Sequence, residues 1–247
     1  MKKLKVKFIT LIFLIINLIT ILLISKTVFS DEFQFEIKGN NFTDTDVILS
    51  LLGNIPENID DEYSNQIINT LDNSNLFSEV SVNYLDNKFI IIIKEFPNID
   101  KLVFRNNERL KDEDLESIAN SLNLTNYNPQ TIKLFIKEVK KIYQSFGYNN
   151  VKIEYSDDLY KSSNIVDLFF NINEGEITKI NKIIINGNDS ILAENIKDII
   201  KSKTRSIRNI FANNNFKPST VERDKYIISN YYKNNGFLDA KIDKKIE

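Results

Sequence analysis

The sequence contains no cysteine and no histidine among its 247 residues. Without cysteine there can be no disulfides, thiolate zinc sites or cysteine nucleophiles, and without histidine there can be no Ser-His-Asp arrangement. Clusters of Asp and Glu do occur, but each stands at the start of a predicted helix, where negative charge suits the helix dipole. The sequence therefore predicts a protein that is not an enzyme and that binds no cofactor and no metal.

An excess of positive charge is also missing, except at the N-terminus. Residues 1–30 contain five lysines and no acid, so 27 basic and 34 acidic residues remain beyond them, a net charge of −7. A negative balance argues against nucleic acid as a partner. Within residues 1–30, lysines precede an apolar stretch from Phe8 to Ile24, and Val28 and Ser30 precede Asp31, which is typical of a secretory signal cleaved before Asp31. The alternative is an uncleaved anchor helix.

The remaining chain contains three similar units. The stretch IYQSFGYNNVKI at 142–153 aligns without gaps with YYKNNGFLDAKI at 231–242, sharing a glycine followed by an aromatic residue and then a strand pattern. LFSEVSV at 76–82 supplies a third copy. Each copy follows an apolar strand that ends in Gly-Asn or Asn-Asn, at 35–41, 102–108 and 183–189. The predicted division is 1–30 signal peptide, 31–97 unit one, 98–176 unit two and 177–247 unit three.

One unit can be followed in residues 98–176. A strand is followed by a short amphipathic helix, and Asn128 and Pro129 then start a second helix that Gly147 ends. Two strands complete the order strand, helix, helix, strand, strand, an α+β fold with both helices on one face of a three-stranded sheet. VSVNY at 80–84 alternates, as edge strands do, whereas FIIII at 89–93 is continuous, which predicts a central strand buried on both sides.

The motifs IKEFPNIDKLVF, INEGEITKINKIIINGN and RDKYIISNYYKNNGFLDAKI carry a family resemblance. Over about residues 31–247 the sequence resembles the periplasmic region of the BamA family of outer-membrane protein assembly factors, whose modules are called POTRA domains. That family has more modules and a C-terminal β-barrel that anchors it in the outer membrane. This sequence ends after the third unit's edge strand, so we expect a truncated or fragmentary member whose third module lacks its last strand.

The resemblance implies partners and a location. It implies binding of unfolded outer-membrane proteins, docking of the lipoproteins of the assembly complex, and a place on the periplasmic side of the outer membrane. Two other interpretations stay open: a TamA-type translocation factor, which also has three POTRA modules, and an anchored division protein of the FtsQ type.

Edge strands suggest how such a module binds clients. An edge presents unpaired N–H and C=O groups, with which an extended client segment can pair as an added strand. Ala240 onward would be the third edge. A run of basic residues in the otherwise acidic chain is a candidate contact for anionic lipid or an acidic partner, or else a solvated loop. The candidate edges are Val80, Ser81, Val82, Asn83, Tyr84, and Val151, Lys152, Ile153, Glu154, Tyr155; the basic residues are Lys201, Lys203, Arg205, Arg208, Lys217.

Overall fold

A computed structural model describes residues 34–53, 61–86, 88–205 and 213–247. The predicted signal peptide lies outside these residues. Six helices and six strands are present in the described part of the chain. In chain order they are β1 (Gln34–Lys38), α1 (Thr45–Leu52), α2 (Asp61–Asn73), β2 (Phe77–Leu85), β3 (Lys88–Glu95), β4 (Asn98–Arg105), α3 (Asp112–Ser121), α4 (Pro129–Phe146), β5 (Lys152–Tyr160), β6 (Ile165–Asn173), α5 (Ala193–Ile199) and α6 (Pro218–Asn234).

Units one and two have the same sheet. The strand order is β1-β3-β2 in unit one and β4-β6-β5 in unit two. The first strand of each unit runs parallel to the central strand, and the second runs antiparallel to it. The prediction that the last strand is central and the alternating strand lies at an edge is confirmed. The fold is α+β, as the sequence predicted.

The prediction that residues 89–93 are buried on both sides is wrong. Phe89, Ile91 and Ile93 face the helices and are buried, but Ile92 on the opposite face is 43% exposed. The helices cover only one face of the sheet, so the continuous apolar run describes a strand that is central between its neighbours but open on one side.

The long helix α4 shows why the local signals of unit two were reliable. The Asn128 side chain accepts a hydrogen bond from the backbone N–H of Gln130 at 2.9 Å, and Pro129 opens the first turn. Gly147 ends the helix in the left-handed conformation at φ 104°. The predicted cap, start and stop of this helix are confirmed. Its apolar face packs on β6 in a core that includes Phe135, Tyr143 and Phe170.

Unit three differs from the other two. Its helices α5 and α6 form, but the described residues from 177 onward contain no strand, and the predicted strands at 183–189 and from Ala240 onward are irregular. In units one and two, the first and second strands pair only with the central strand. No described segment of unit three forms a central strand, so the segments that would pair with it have no partner there. The predicted capping box from Ser219 to Glu222 is also wrong, because α6 begins at Pro218, behind Lys217.

The two junctions between units are joined by the same set of backbone hydrogen bonds. The segment that connects two units bonds on one side to the turn before the second strand of the preceding unit. On the other side it bonds to the loop before the second helix of the following unit. At the first junction the N–H groups of Phe96, Ile99 and Tyr127 donate to the carbonyls of Leu76, Thr125 and Pro97; at the second those of Thr178, Ile180 and Phe216 donate to the carbonyls of Gly147, Asn214 and Thr178.

Candidate functional site

The first candidate edge is β2. This nine-residue strand pairs with β3 on one side only, from Phe77↔Glu95 to Leu85↔Lys88 with a register shift at Ser78, so its other side carries no strand partner in the described structure. Val80 and Val82 pack half-buried against the helix side of the sheet, whereas Ser81 and Asn83 point to the exposed face. Tyr84 is 41% exposed and its ring lies 4.6 Å from that of Phe89. The predicted edge residues of unit one therefore lie on one strand, in alternation.

The second candidate edge is β5, which is longer than predicted. It runs from Lys152 to Tyr160 and pairs only with β6. Val151 lies just before the strand and is buried, as is Ile153, so these two predicted residues belong to the core. Lys152, Glu154 and Tyr155 are exposed, and the exposed part of the strand continues to Tyr160.

On the helix side of β5 an exposed apolar strip remains. The register places Tyr155, Asp157 and Leu159 opposite Phe170, Leu168 and Val166, which face the core. Tyr155 is 41% exposed and Leu159 is 43% exposed. The two apolar side chains of this strip flank Asp157.

One polar contact fixes the middle of this strip. The Tyr127 hydroxyl, in the loop before α4, donates a hydrogen bond to Asp157 at 2.8 Å. Burial, and after it this hydrogen bond, raises the pKa of Tyr127 to about 12. The hydroxyl therefore keeps its proton at neutral pH, and its hydrogen bond holds the Asp157 carboxylate in the middle of the strip.

The described members of the basic run of unit three lie in different surroundings. The Lys203 amino group donates to the carbonyls of Lys197 and Asp198 at the C-terminal end of α5, which is a structural role. The backbone N–H of Lys201 donates to buried Asp224 at 2.6 Å, leaving its side chain exposed. Arg205 is exposed, Arg208 lies outside the described residues, and Lys217 lines a pocket at the second junction.

Two glutamates and this pocket escaped the sequence analysis. The Glu95 carboxylate accepts the backbone N–H groups of Asn41, Phe42 and Thr43, and Glu174 accepts that of Arg109 at 2.7 Å. Glu174 also accepts a hydrogen bond from the Tyr143 hydroxyl; burial first, and then this bond, raises the pKa of Tyr143. The available signal was a glutamate at the end of the last strand in units one and two: Glu95 is the final residue of β3, and Glu174 directly follows β6.

Among the residues that the structure describes, no group of three or more His, Cys, Asp or Glu side chains is placed to hold a metal ion. No helix in the same ranges has the length and apolar character needed to span a membrane.

Similar proteins were found by sequence. The profile of the POTRA family, described as "Surface antigen variable number repeat", matches residues 97–175 and 178–247. The outer membrane protein assembly factor BamA of Nitratidesulfovibrio vulgaris is 23% identical over 213 residues, which is 84% of this chain and 27% of that protein. BamA of Buchnera aphidicola is 23% identical over 217 residues, 86% of this chain and 35% of that protein. The chain thus spans about a third or less of the length of these relatives.

Solved structures show weaker likeness. BamA POTRA3-5 of Haemophilus influenzae is 11% identical, with a TM-score of 0.40, covering 83% of this chain and 85% of that chain. The N-terminal domain of Omp85 from Thermosynechococcus elongatus is 12% identical, with a TM-score of 0.41, covering 85% of this chain and 88% of that chain.

Proposed function

The chain belongs to the POTRA family, and from that premise we propose that it is a periplasmic binding module of the outer-membrane protein assembly machinery. Its clients are unfolded outer-membrane proteins, and it receives them by strand addition. It has no catalytic role, and it docks the lipoproteins of the assembly complex. We divide the chain as the sequence suggested, into a signal peptide (1–30), two POTRA units (31–97 and 98–176) and a third unit (177–247) whose described residues form two helices and no strand.

The observation that carries this proposal is the pair of nine-residue edge strands, β2 and β5. A receiver of many unfolded clients needs affinity that does not depend on client sequence. Backbone hydrogen bonds supply it, because every residue except proline offers one donor and one acceptor. Transmembrane strands of outer-membrane proteins alternate apolar and polar side chains. Such a strand places its apolar side chains along the helix side of β5, beside Tyr155 and Leu159.

Proline substitutions along the edges test the mechanism. In an antiparallel edge strand, the N–H groups of alternate residues face the sheet and the solvent in turn. Glu154→Pro and Tyr155→Pro remove one N–H of each kind; the Glu154 side chain is exposed, whereas the Tyr155 ring also lies 6.0 Å from that of Phe170, so Tyr155→Pro needs a control for the lost ring. Whichever variant loses the outward N–H stays folded and is expected to bind a ten-residue alternating outer-membrane peptide about tenfold more weakly. Asn83→Pro and Tyr84→Pro form the same pair on β2.

Substitutions at the same positions that keep the backbone N–H are the matched controls. Glu154→Ala and Asn83→Ala keep this N–H, and Tyr155→Phe and Tyr84→Phe keep both the N–H and the ring, so we expect affinity close to that of the unchanged chain. Binding is measured by titration, and folding by circular dichroism. Unchanged affinity in all folded proline variants, or an equal loss in the control variants, would rule out strand addition at these edges.

The proposed location on the periplasmic side of the outer membrane requires export. The lysines, apolar stretch and small residues of 1–30 support cleavage before Asp31. The intact mass of the chain expressed in a Gram-negative host is expected to be that of residues 31–247. A product that keeps residues 1–30 would contradict cleavage and favour the anchored alternative.

A further inference from the structure

A pocket of about 290 Å³ lies where units two and three meet. Unit two contributes Arg109, Phe146 and Tyr148 to its wall, and unit three contributes Asn215 and Lys217. The wall therefore combines two cations, two aromatic rings and amide groups, and it includes no carboxylate side chain among the described residues.

The carboxylate of Glu174 lies near this wall, but it accepts the backbone N–H of Arg109 at 2.7 Å rather than pairing with the guanidinium. Within the described part of the chain, Arg109 and Lys217 form no ion pair. The Arg109 guanidinium lies over the Phe146 ring, 3.9 Å from its centroid. This contact with the ring fixes the orientation of the guanidinium and leaves the N–H groups along its edge free to donate. Two of these N–H groups can bind the two oxygens of one carboxylate.

The position of Lys217 adds a cost that an anion would offset. Lys217 stands at the N-cap of α6, where a positive charge meets the positive end of the helix dipole, and no side chain caps this helix. In unit two the equivalent residue, also directly before a proline, is the capping Asn128. Within the described residues, Lys217 forms no ion pair that would account for a positive charge at this end of the helix.

The first junction lacks both charges. In unit two, the backbone N–H of Arg109 donates to the Glu174 carboxylate. In unit one, the backbone N–H of Phe42 donates to the Glu95 carboxylate in the same way, so Phe42 is the equivalent of Arg109. Asn128 takes the place of Lys217. Since the backbone bonding of the two junctions is alike, the cations are not needed to join units.

We propose that this pocket binds a carboxylate group carried by a polypeptide segment, held between Arg109 and Lys217. This site is separate from the edge strands and goes beyond strand addition. The aromatic rings accommodate an apolar neighbour of the carboxylate, and the Asn215 amide suits a peptide backbone. A membrane surface is flat and does not enter a concave wall between two units, so lipid headgroups fit less well. Because the walls belong to two units, the bound segment links them.

The probe is a pair of capped peptides, acetyl-Ala-Tyr-Glu-Tyr-Ala-amide and its Gln counterpart, which differ only in the charge. With the full-length chain, the Glu peptide is expected to shift the amide signals of Arg109, Tyr148 and Lys217, and the Gln peptide to bind about tenfold more weakly. Arg109→Gln and Lys217→Gln are each expected to weaken binding of the Glu peptide about tenfold as well. Arg109→Lys, which keeps the charge but loses the planar fork, is expected to lie between.

Lys137→Gln on the exposed face of α4 is the control, and it is expected to bind the Glu peptide as the unchanged chain does. Equal binding of the Glu and Gln peptides would overturn the proposal, as would an equal loss in Lys137→Gln. The same signals shifting with inorganic phosphate or with phosphatidylglycerol vesicles, but not with the Glu peptide, would also overturn it. The proline variants of β2 and β5 are expected to bind the Glu peptide normally, which separates this site from strand addition.

Discussion

Gly147 combines a left-handed turn with close contact between two units. Its φ of 104° ends α4, and a Cβ at this position would lie 3.1 Å from Ile177 Cγ2 and 3.2 Å from Asn215 Cβ. Both contacts are tighter than ordinary van der Waals separation, and both neighbours lie outside the sheet of unit two. Glycine here therefore serves the junction as well as the helix end.

Gly147→Ala tests this double role against a matched control. Gly236 follows α6, has φ 90°, and would meet nothing within 4 Å as alanine. Both substitutions should destabilise the local turn by about 1–2 kcal/mol, because an L-residue is strained in this conformation. Only Gly147→Ala should also shift the amide signals of Thr178 and Phe216 across the junction. Equal shifts in both variants, or none in Gly147→Ala, would show that the contact does not hold the units.

Residue-scale prediction from sequence succeeded where the cause is local. Asn128 and Gly147 act on groups within a few residues, and both roles were evident from the sequence. Glu95 and Glu174 act on loops 52 to 65 residues away, so no local pattern connects them to their partners. Arg109 was missed for the same reason, since its pocket exists only once the third unit is placed.

At the scale of elements, patterning gave the strand order but not the burial. Alternation correctly assigned β2 to an edge, the repeat extended that assignment to β5, and continuity correctly assigned β3 to the centre. The continuous apolar run of β3 does not mean that both faces of the sheet are covered. β-Branched Ile is also favourable in a sheet of which only one face is buried. In β6 the same central position holds Val166, Leu168 and Phe170 on the covered face but exposed Asn171 and Asn173 on the open one.

The irregular segments of unit three lead to a prediction about local stability. Residues 183–186 and 240–246 pair with no strand in the described structure, whereas β1 to β6 are all in ladders. We expect their backbone amides to exchange with solvent much faster than those of β3 and β6, because exchange is slowed by stable hydrogen bonds. Hydrogen exchange read by NMR or mass spectrometry measures this. Protection equal to that of the two central strands would mean that both segments are paired in solution.

Across the whole molecule, the same backbone bonding at both junctions sets one unit after another with its edge strand uncovered. Two residues of the basic run have different surroundings at this scale, since Lys203 binds a helix carbonyl while Lys217 lines the pocket, and contact of the run with lipid or an acidic partner stays a prediction. Sequence alone could not separate them, because charge spacing along the chain does not give the direction of side chains. The edges, by contrast, follow from strand order and are the molecule's repeated feature.

The most direct test of strand addition is to observe the added strand. The chain is labelled with ¹³C and ¹⁵N, an unlabelled ten-residue alternating outer-membrane peptide is added, and intermolecular NOEs are recorded. The account predicts contacts between peptide backbone protons and the amides of alternate residues along β5 or β2, such as Glu154, Ser156 and Asp158 or their neighbours, in the regular order of a β-ladder. Intermolecular NOEs confined to helix side chains, with none to either edge backbone, would contradict it.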